Sequence, residues 1–340
     1  MTSKRTQGGR ATPRRRLARG RVTAWAGAVP SAMLLLLMLS GPAHAVEVAA
    51  FEAVVPVTGT AEADRTAAFG EALKVAAVRA SGRSEAATAA AIVAAAADPA
   101  RYVQQYSTTA ERMLRVGFDE RAMEQLLQRA GLPRWPAERP SVTVLLFTPA
   151  VAGGARALTA ADRGVERAEV ERAAQLRGLA LAWPSESLDP ASARARLAAE
   201  PAALFGLGSG GRYEWVFAHA GQTVRAEGGV GHAIGVAADA LAARYAPAST
   251  RGVVPLRLRI GGLGDVREYA ALSEYLEGLS LVRSLGVREF ERDTVQFELT
   301  VRGDAELLRR IFALDGRLVP AAAAAEGAPG AGVDYVWQAT

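Results

Sequence analysis

The polarity pattern of the chain separates a leader from three folded units. Residues 1–22 are polar and basic, and Ala24–Leu39 is apolar or small, closing in the unbroken run Met33–Leu39. Beyond it, apolar positions recur with the periods of strands and helices. Val46–Val57 alternates loosely and predicts one strand. Ala61–Ala80 predicts a helix with Phe69, Leu73, Ala76, Ala77 and Ala80 on one face. Gly82 stands where a left-handed C-terminal cap is wanted, Ser84 opens an Ala-rich helix and Pro99 ends it. Tyr102–Tyr106 and Arg112–Phe118 predict a hairpin, and Asp119 caps a helix over Glu120–Ala130. This β-α-α-β-β-α order makes residues 46–135 a small α+β domain.

Leu132–Pro140 carries three prolines in nine residues and reads as a linker. Val142–Phe147 is a continuous apolar run, as in a strand buried on both faces. A helix over Thr159–Arg177, a buried strand at Leu179–Trp183 and a helix over Asp189–Phe205 follow. Arg212–His219 and Gln222–Glu227 predict a hairpin turning at Ala220-Gly221, and Ala233–Tyr245 a closing helix. Residues 140–246 are thus expected to form an α/β domain with a mainly parallel sheet. After the second linker, Ala246–Gly252, the pattern is cleaner. Val254–Ile260 is a strand, and Asp265 with Glu268 forms an acidic capping box. The helix after it carries Val266, Tyr269, Leu272, Leu276 and Leu279 on one stripe. Val282–Glu291 pairs with Thr294–Arg302, Asp304 caps Ala305–Ala313, and Tyr335–Trp337 is a last strand. The expectation for residues 253–340 is a ferredoxin-like βαββαβ domain. Ala321–Gly332 is expected to be a mobile Ala/Gly-rich stretch.

Charge changes the reading of the leader. The 340 residues carry 40 Lys and Arg against 35 Asp and Glu, a formal +5. Eight of those bases lie within residues 1–22, and the first acid is Glu47, so residues 46–340 hold 32 bases against 35 acids. No long basic run remains to neutralise phosphates, and nucleic acid is not an expected partner. A basic segment, an apolar segment and the small residues Ala43 and Ala45 before Val46 together predict a secretory signal over residues 1–45, cleaved after Ala45. The expected location is therefore periplasmic, with the membrane met only through that signal. With no cysteine anywhere, disulfides, thiol nucleophiles, thiolate metal sites and lipid attachment after the signal are excluded.

Candidate chemistry is sparse. Gly206–Gly211 matches GxGxxG, but a helix is predicted before it and a strand after it, the reverse of the dinucleotide fingerprint; a flexible loop is the expectation. Gly261, Gly262 and Gly264 open a helix that Asp265 already caps, which favours a structural turn over a phosphate cradle. His219 and His232 flank a hairpin without an evident third metal ligand. Glu166, Glu169 and Glu171, and Glu289, Glu291 and Asp293, alternate with arginines as on solvated faces. No catalytic residue, cofactor site or metal site is assigned. Trp135, between Pro133 and Pro136, stands out in a linker and is a candidate for pinning two domains together or for a partner surface.

Some stretches are familiar as sequence. They include Phe51–Pro56, the cadence of Ala67–Gly82, and the run Ala100-Arg101-Tyr102-Val103-Gln104-Gln105-Tyr106. Phe118-Asp119 before Leu126-Leu127, Ala130-Gly131-Leu132-Pro133 before Trp135, Arg139-Pro140 and Ala237–Tyr245 complete the set. Together they resemble the proteobacterial family catalogued as domain of unknown function 2066. The resemblance implies an exported envelope protein with no assigned catalytic residues. The leading expectation is a non-catalytic periplasmic protein that binds envelope proteins through its modules, accepting a partner strand at an exposed sheet edge. The alternatives are a hydrolase of an envelope polymer using an unlocated carboxylate pair, and a scaffold tethered to the inner membrane by an uncleaved leader.

Overall fold

Three sheets and eight α-helices make up the residues that the computed structural model describes, namely 45–109, 112–150, 153–209, 212–246, 252–321 and 333–338. Residues 1–44, most of the expected leader, and most of the Ala321–Gly332 stretch lie outside them. The chain is a mixed α/β protein without a barrel.

The expected first strand is two strands in different sheets. β1 (Ala45–Glu47) pairs antiparallel with Glu138–Pro140, whereas β2 (Glu52–Pro56) joins a three-stranded sheet. The chain bends between them because Val48 N donates to Ala137 O at 2.9 Å and Glu52 N turns back onto Ala49 O at 3.3 Å. α1 (Glu62–Ser81) buries Phe69, Leu73, Ala76, Ala77 and Ala80 and ends at Gly82, whose φ of 71° is the left-handed cap. Two 3₁₀ turns flank the short α2 (Ala90–Ala97), so Ser84 caps nothing. β3 (Val103–Thr108) and β4 (Met113–Phe118) form the expected hairpin, with β4 central between β2 and β3. Asp119 accepts from Ala122 N at 2.8 Å and starts α3 (Glu120–Arg129). Ala53, Val55, Leu114, Val116 and Phe118 meet α1 and α3 in one core.

The second sheet departs further from expectation. Its spine is β5 (Glu138–Pro149), a twelve-residue strand that begins inside the expected linker. One edge of β5 is lined in succession by β1, by β7 (Ala180–Ala182) and by β6 (Ala155–Ala157). α4 (Val165–Arg177) and α5 (Pro190–Arg196) are shorter than expected, and β7 is a half-buried edge piece. The largest correction is β8 (Ala202–Ser209), which takes up residues assigned to a helix end and a loop and pairs parallel with β5. β8, β9 (Arg212–His219) and β10 (Gln222–Glu227) continue antiparallel, and α6 (Val230–Tyr245) packs on them. Only the pairs β5–β7 and β5–β8 are parallel, so the mainly parallel sheet is not observed. Ala-Ala-Leu-Phe is helix-compatible by composition; pairing with the buried β5 overrides that propensity.

The third sheet contains β11 (Val253–Gly261), β12 (Val282–Glu291), β13 (Thr294–Arg302), β14 (Leu318–Pro320) and β15 (Val333–Trp337), in the order β12-β13-β11-β15-β14. α7 (Val266–Gly278) and α8 (Ala305–Asp315) both start where expected. Asp265 accepts from Arg267 N and Glu268 N, and the Glu268 carboxylate accepts from Gly264 N rather than from the cap residue. Val266, placed on the apolar stripe, is instead 79% exposed; the buried stripe is Leu272, Leu276 and Leu279. β14 was not anticipated.

Two helix ends meet where these parts join. The carbonyls in the last turn of an α-helix lack intrahelical partners and carry the negative end of its dipole. At the end of α1, Arg79 O accepts from Arg139 Nη2 at 2.8 Å, Ala80 O from Trp135 N at 2.7 Å and Gly82 O from Arg177 Nη2 at 3.1 Å. At the end of α4, Gln175 O accepts from Arg79 Nη1 at 2.5 Å and Gly178 O from Arg139 Nη1 at 2.6 Å. Arg139 is fully buried, donates a third bond to Pro136 O and lies 4.0 Å over the Trp135 ring. Burial pushes its guanidinium well below the usual arginine range; Arg79 adds to the fall and Glu138 opposes it.

Candidate functional site

Two features of the third sheet are accessible from outside. The first is its edge. No described strand pairs with the outer side of β12. A slip in register divides the strand: Val287 sits opposite Phe297 and Glu289 opposite Gln296, leaving Arg288 as the extra residue of a bulge. Leu285, Val287 and Phe290 oppose the buried Leu299, Phe297 and Val295, so they share the helix-covered side of the sheet. α7 does not reach over them fully: Val287 is 49% and Phe290 55% exposed, and Tyr269 meets Phe290 edge-on with ring centroids 6.0 Å apart. On the other side Arg288 pairs with Glu298 at 3.3 Å.

The near end of this edge is anchored. Glu124 of α3 accepts from Arg283 of β12 at 3.0 Å and from both terminal nitrogens of Arg302 of β13 at 3.1 and 3.0 Å. It also pairs with Arg134, whose guanidinium burial pushes down while Glu120 holds it up. One carboxylate thereby ties three arginines together.

The second feature is a cleft of about 680 Å³ between β1, the start of β5, α7 and the end of α8. Glu47, Glu138, Glu268, Glu274 and Asp315 line it with Arg267 and Arg317. Three of these acids are engaged. Glu138 accepts from Ser280 N and Ser280 Oγ at 2.7 Å each, Glu268 caps α7 as above, and Asp315 accepts from Arg317 N at 3.1 Å. Arg317 lies 5.4 Å over the Tyr275 ring, and burial followed by the Asp315 carboxylate pushes the Tyr275 phenol up. Such a lining holds a polar, cationic group more readily than an anion.

The residues singled out by sequence are scattered. Trp135 is 0% exposed, sealed between Arg139, the end of α1 and Ala242, so it offers a partner no surface. The linker reading failed because its prolines frame buried anchors rather than a solvated spacer. Ala45 and Val46 lie in β1 opposite Pro140 and Arg139, and Ala43 lies outside the described residues. Gly206 and Gly208 are inside β8, and a Cβ at Gly206 would stand 2.3 Å from the Trp215 ring, so that glycine serves packing. Gly262, at φ 85°, sits in the turn before α7. His219 Nδ1 donates to Pro201 O at 2.7 Å, with the Tyr245 ring 5.6 Å away, whereas His232 lies in the first turn of α6. No group of three potential metal ligands occurs among the described residues. Sequence reading missed Arg139, Glu124 and Glu138; an arginine directly before a buried strand was the available signal for the first.

Residues 45–136 match the family model described as Domain of unknown function (DUF8605). This overturns the resemblance to domain of unknown function 2066: most of the stretches that carry it, from Phe51 to Trp135, lie in residues that match a different family. The match ends at Pro136, before β5, and so covers the three-stranded sheet, β1 and Trp135. No curated protein and no solved structure matches the chain.

Proposed function

We propose that this is an exported, non-catalytic binding protein, held in the periplasm after cleavage behind Ala45, that takes an extended segment of an envelope protein along β12. The observation that carries the reading is the unpaired outer side of β12 beside the half-exposed Val287 and Phe290. Strand addition draws its affinity from main-chain hydrogen bonds and its specificity from alternate side chains, and this edge offers both. The third sheet follows the split βαβ order for its first three strands, with β13 between β12 and β11, but departs from a ferredoxin-like unit at its far edge, where β15 runs parallel to β11 and β14 pairs outside it. Among the described residues no helix is long and apolar enough to cross a membrane.

Photo-crosslinking groups placed in cells at Val287 and Phe290, with Val165 of α4 as the exposed control, test this reading. Adducts specific to the β12 positions and identified by mass spectrometry are expected. Equal labelling from all three sites refutes it. A second reading, a hydrolase, draws on the acid-lined cleft. If it holds, Glu274→Ala should abolish an activity on envelope polymer while leaving β12 crosslinks intact.

A further inference from the structure

The open edge of β12 is complementary to itself, and we infer that its occupant is β12 of a second copy of this chain, paired antiparallel about a two-fold axis. The inference rests on the edge reading above and narrows its partner. In a two-fold antiparallel pair, every residue faces a residue of the other copy on the same side of the sheet. A regular strand would forbid opposing residues of odd and even number. The bulge at Arg288 lifts that restriction, because it returns Val287 and Phe290 to one side of the sheet. With the axis between positions 288 and 289, Val287 faces Phe290 of the second copy on the helix side. Arg288 then faces Glu289 of the second copy on the other side, where the contact of Arg288 with Glu298 and the pairing of Glu289 with Gln296 already place both side chains.

Each contact occurs twice by symmetry. The apolar pair covers two side chains that are about half exposed, and the two ion pairs have the sign that cross-strand neighbours favour. Other registers do worse. With the axis on Arg288, arginine meets arginine; with the axis on Glu289, glutamate meets glutamate. The charges that ordinarily guard an edge strand against pairing therefore select one partner and one register here. The Arg283–Glu124 contact fixes the near end of β12, leaving residues 286–291 for the second copy.

A chain without cysteine makes the test direct. Full-length chains carrying Val287→Cys and Phe290→Cys are co-expressed in cells and separated without reductant. A disulfide dimer is expected from the mixed pair, at least about tenfold above that from chains carrying Val224→Cys on the exposed β10 edge. Reversing one charge, by Arg288→Glu or by Glu289→Arg, should cut the dimer about tenfold, since two attractive pairs become repulsive. The double reversal on one chain should restore it. Loss in both single variants with recovery in the double one establishes the register. A chain that stays monomeric throughout, or a dimer indifferent to the single reversals, overturns the inference. Crosslinks from Val287 to a different protein, with no dimer, would refute the second copy while leaving the binding function standing.

Discussion

Arg139→Lys is the sharpest test of how the sheets are joined. The substitution keeps a positive charge in a fully buried site but replaces a planar fork with a single ammonium. Arg139 donates to Pro136 O, Gly178 O and Arg79 O, at 3.1, 2.6 and 2.8 Å. These carbonyls surround a guanidinium, and a lysine amine cannot reach all of them from one position. Each buried acceptor left open costs about 1–3 kcal/mol, and the stacking on Trp135 is worth about 1–2 kcal/mol when desolvated. With one or two carbonyls orphaned, the expected loss is on the order of 3–5 kcal/mol. Arg139→Met orphans all three acceptors but also removes a charge whose burial costs several kcal/mol. The Met variant should therefore be no less stable than the Lys variant. Urea unfolding followed by tryptophan fluorescence measures both, with Trp135 itself a reporter. A Lys variant within about 0.5 kcal/mol of the parent, or clearly more stable than Met, would show that charge rather than fork geometry holds the junction.

The other predictions concern the cap, the clamp and one histidine. Gly82→Ala should cost more than about 2 kcal/mol by urea unfolding, because φ is 71° and the new Cβ would stand 2.3 Å from the Ala242 Cβ. Gly131→Ala, at φ 67° with nothing within 4 Å, should cost only about 1 kcal/mol. Glu124→Gln should cost roughly 1–3 kcal/mol, toward the lower end because the site is partly exposed. The loss relative to the parent should shrink as salt is raised. His219 is held below its ordinary value mainly by burial, against the Pro201 carbonyl, with Arg244 adding to the fall. Its neutral form supports the fold fully above the unfolded value of about 6.5. That support fades as pH falls below it, where the unfolded chain binds the proton first. Unfolding midpoints of the parent and His219→Phe at about pH 7.5 and 5.5 check this: the acid-induced drop should be smaller in the variant.

Periodicity was legible wherever an element has one wet face. α1, α3, α7 and α8, and the pairs β9–β10 and β12–β13, lie within a few residues of their sequence boundaries, because caps such as Asp119, Asp265 and Asp304 mark local chemistry. The middle sheet was less legible because β8 is buried and flat in hydropathy, and its role depends on pairing with β5, some sixty residues earlier in the chain. β1 was merged with β2 for the same reason: its partner, Glu138–Pro140, is distant and looked like a linker. The open edge was partly visible, since Val282–Glu291 carries charges of both signs. Which side of it stays uncovered depends on how far α7 reaches, and no local pattern encodes that.

Polar contacts across the joins determine what the β12 edge can do. Arg79, Arg139 and Arg177 fix α1 to α4 and β5; Glu138 fixes the start of β5 to Ser280, just ahead of β12; Glu124 fixes α3 to β12 and β13. The strand proposed to meet a partner is thus tied to two other parts of the chain, through Ser280 just ahead of it and through Arg283 near its start. A pre-set strand loses little conformational entropy on pairing, so a short edge of few residues can bind where a loose one could not. The inferred pairing requires the bulge at Arg288 to persist, since only a fixed bulge can select a register. Weakening Glu124 should therefore reduce pairing at β12 even though Glu124 lies at the far end of the strand from Arg288. An effect confined to stability, with pairing unchanged, would place the origin of the edge geometry in β13 alone.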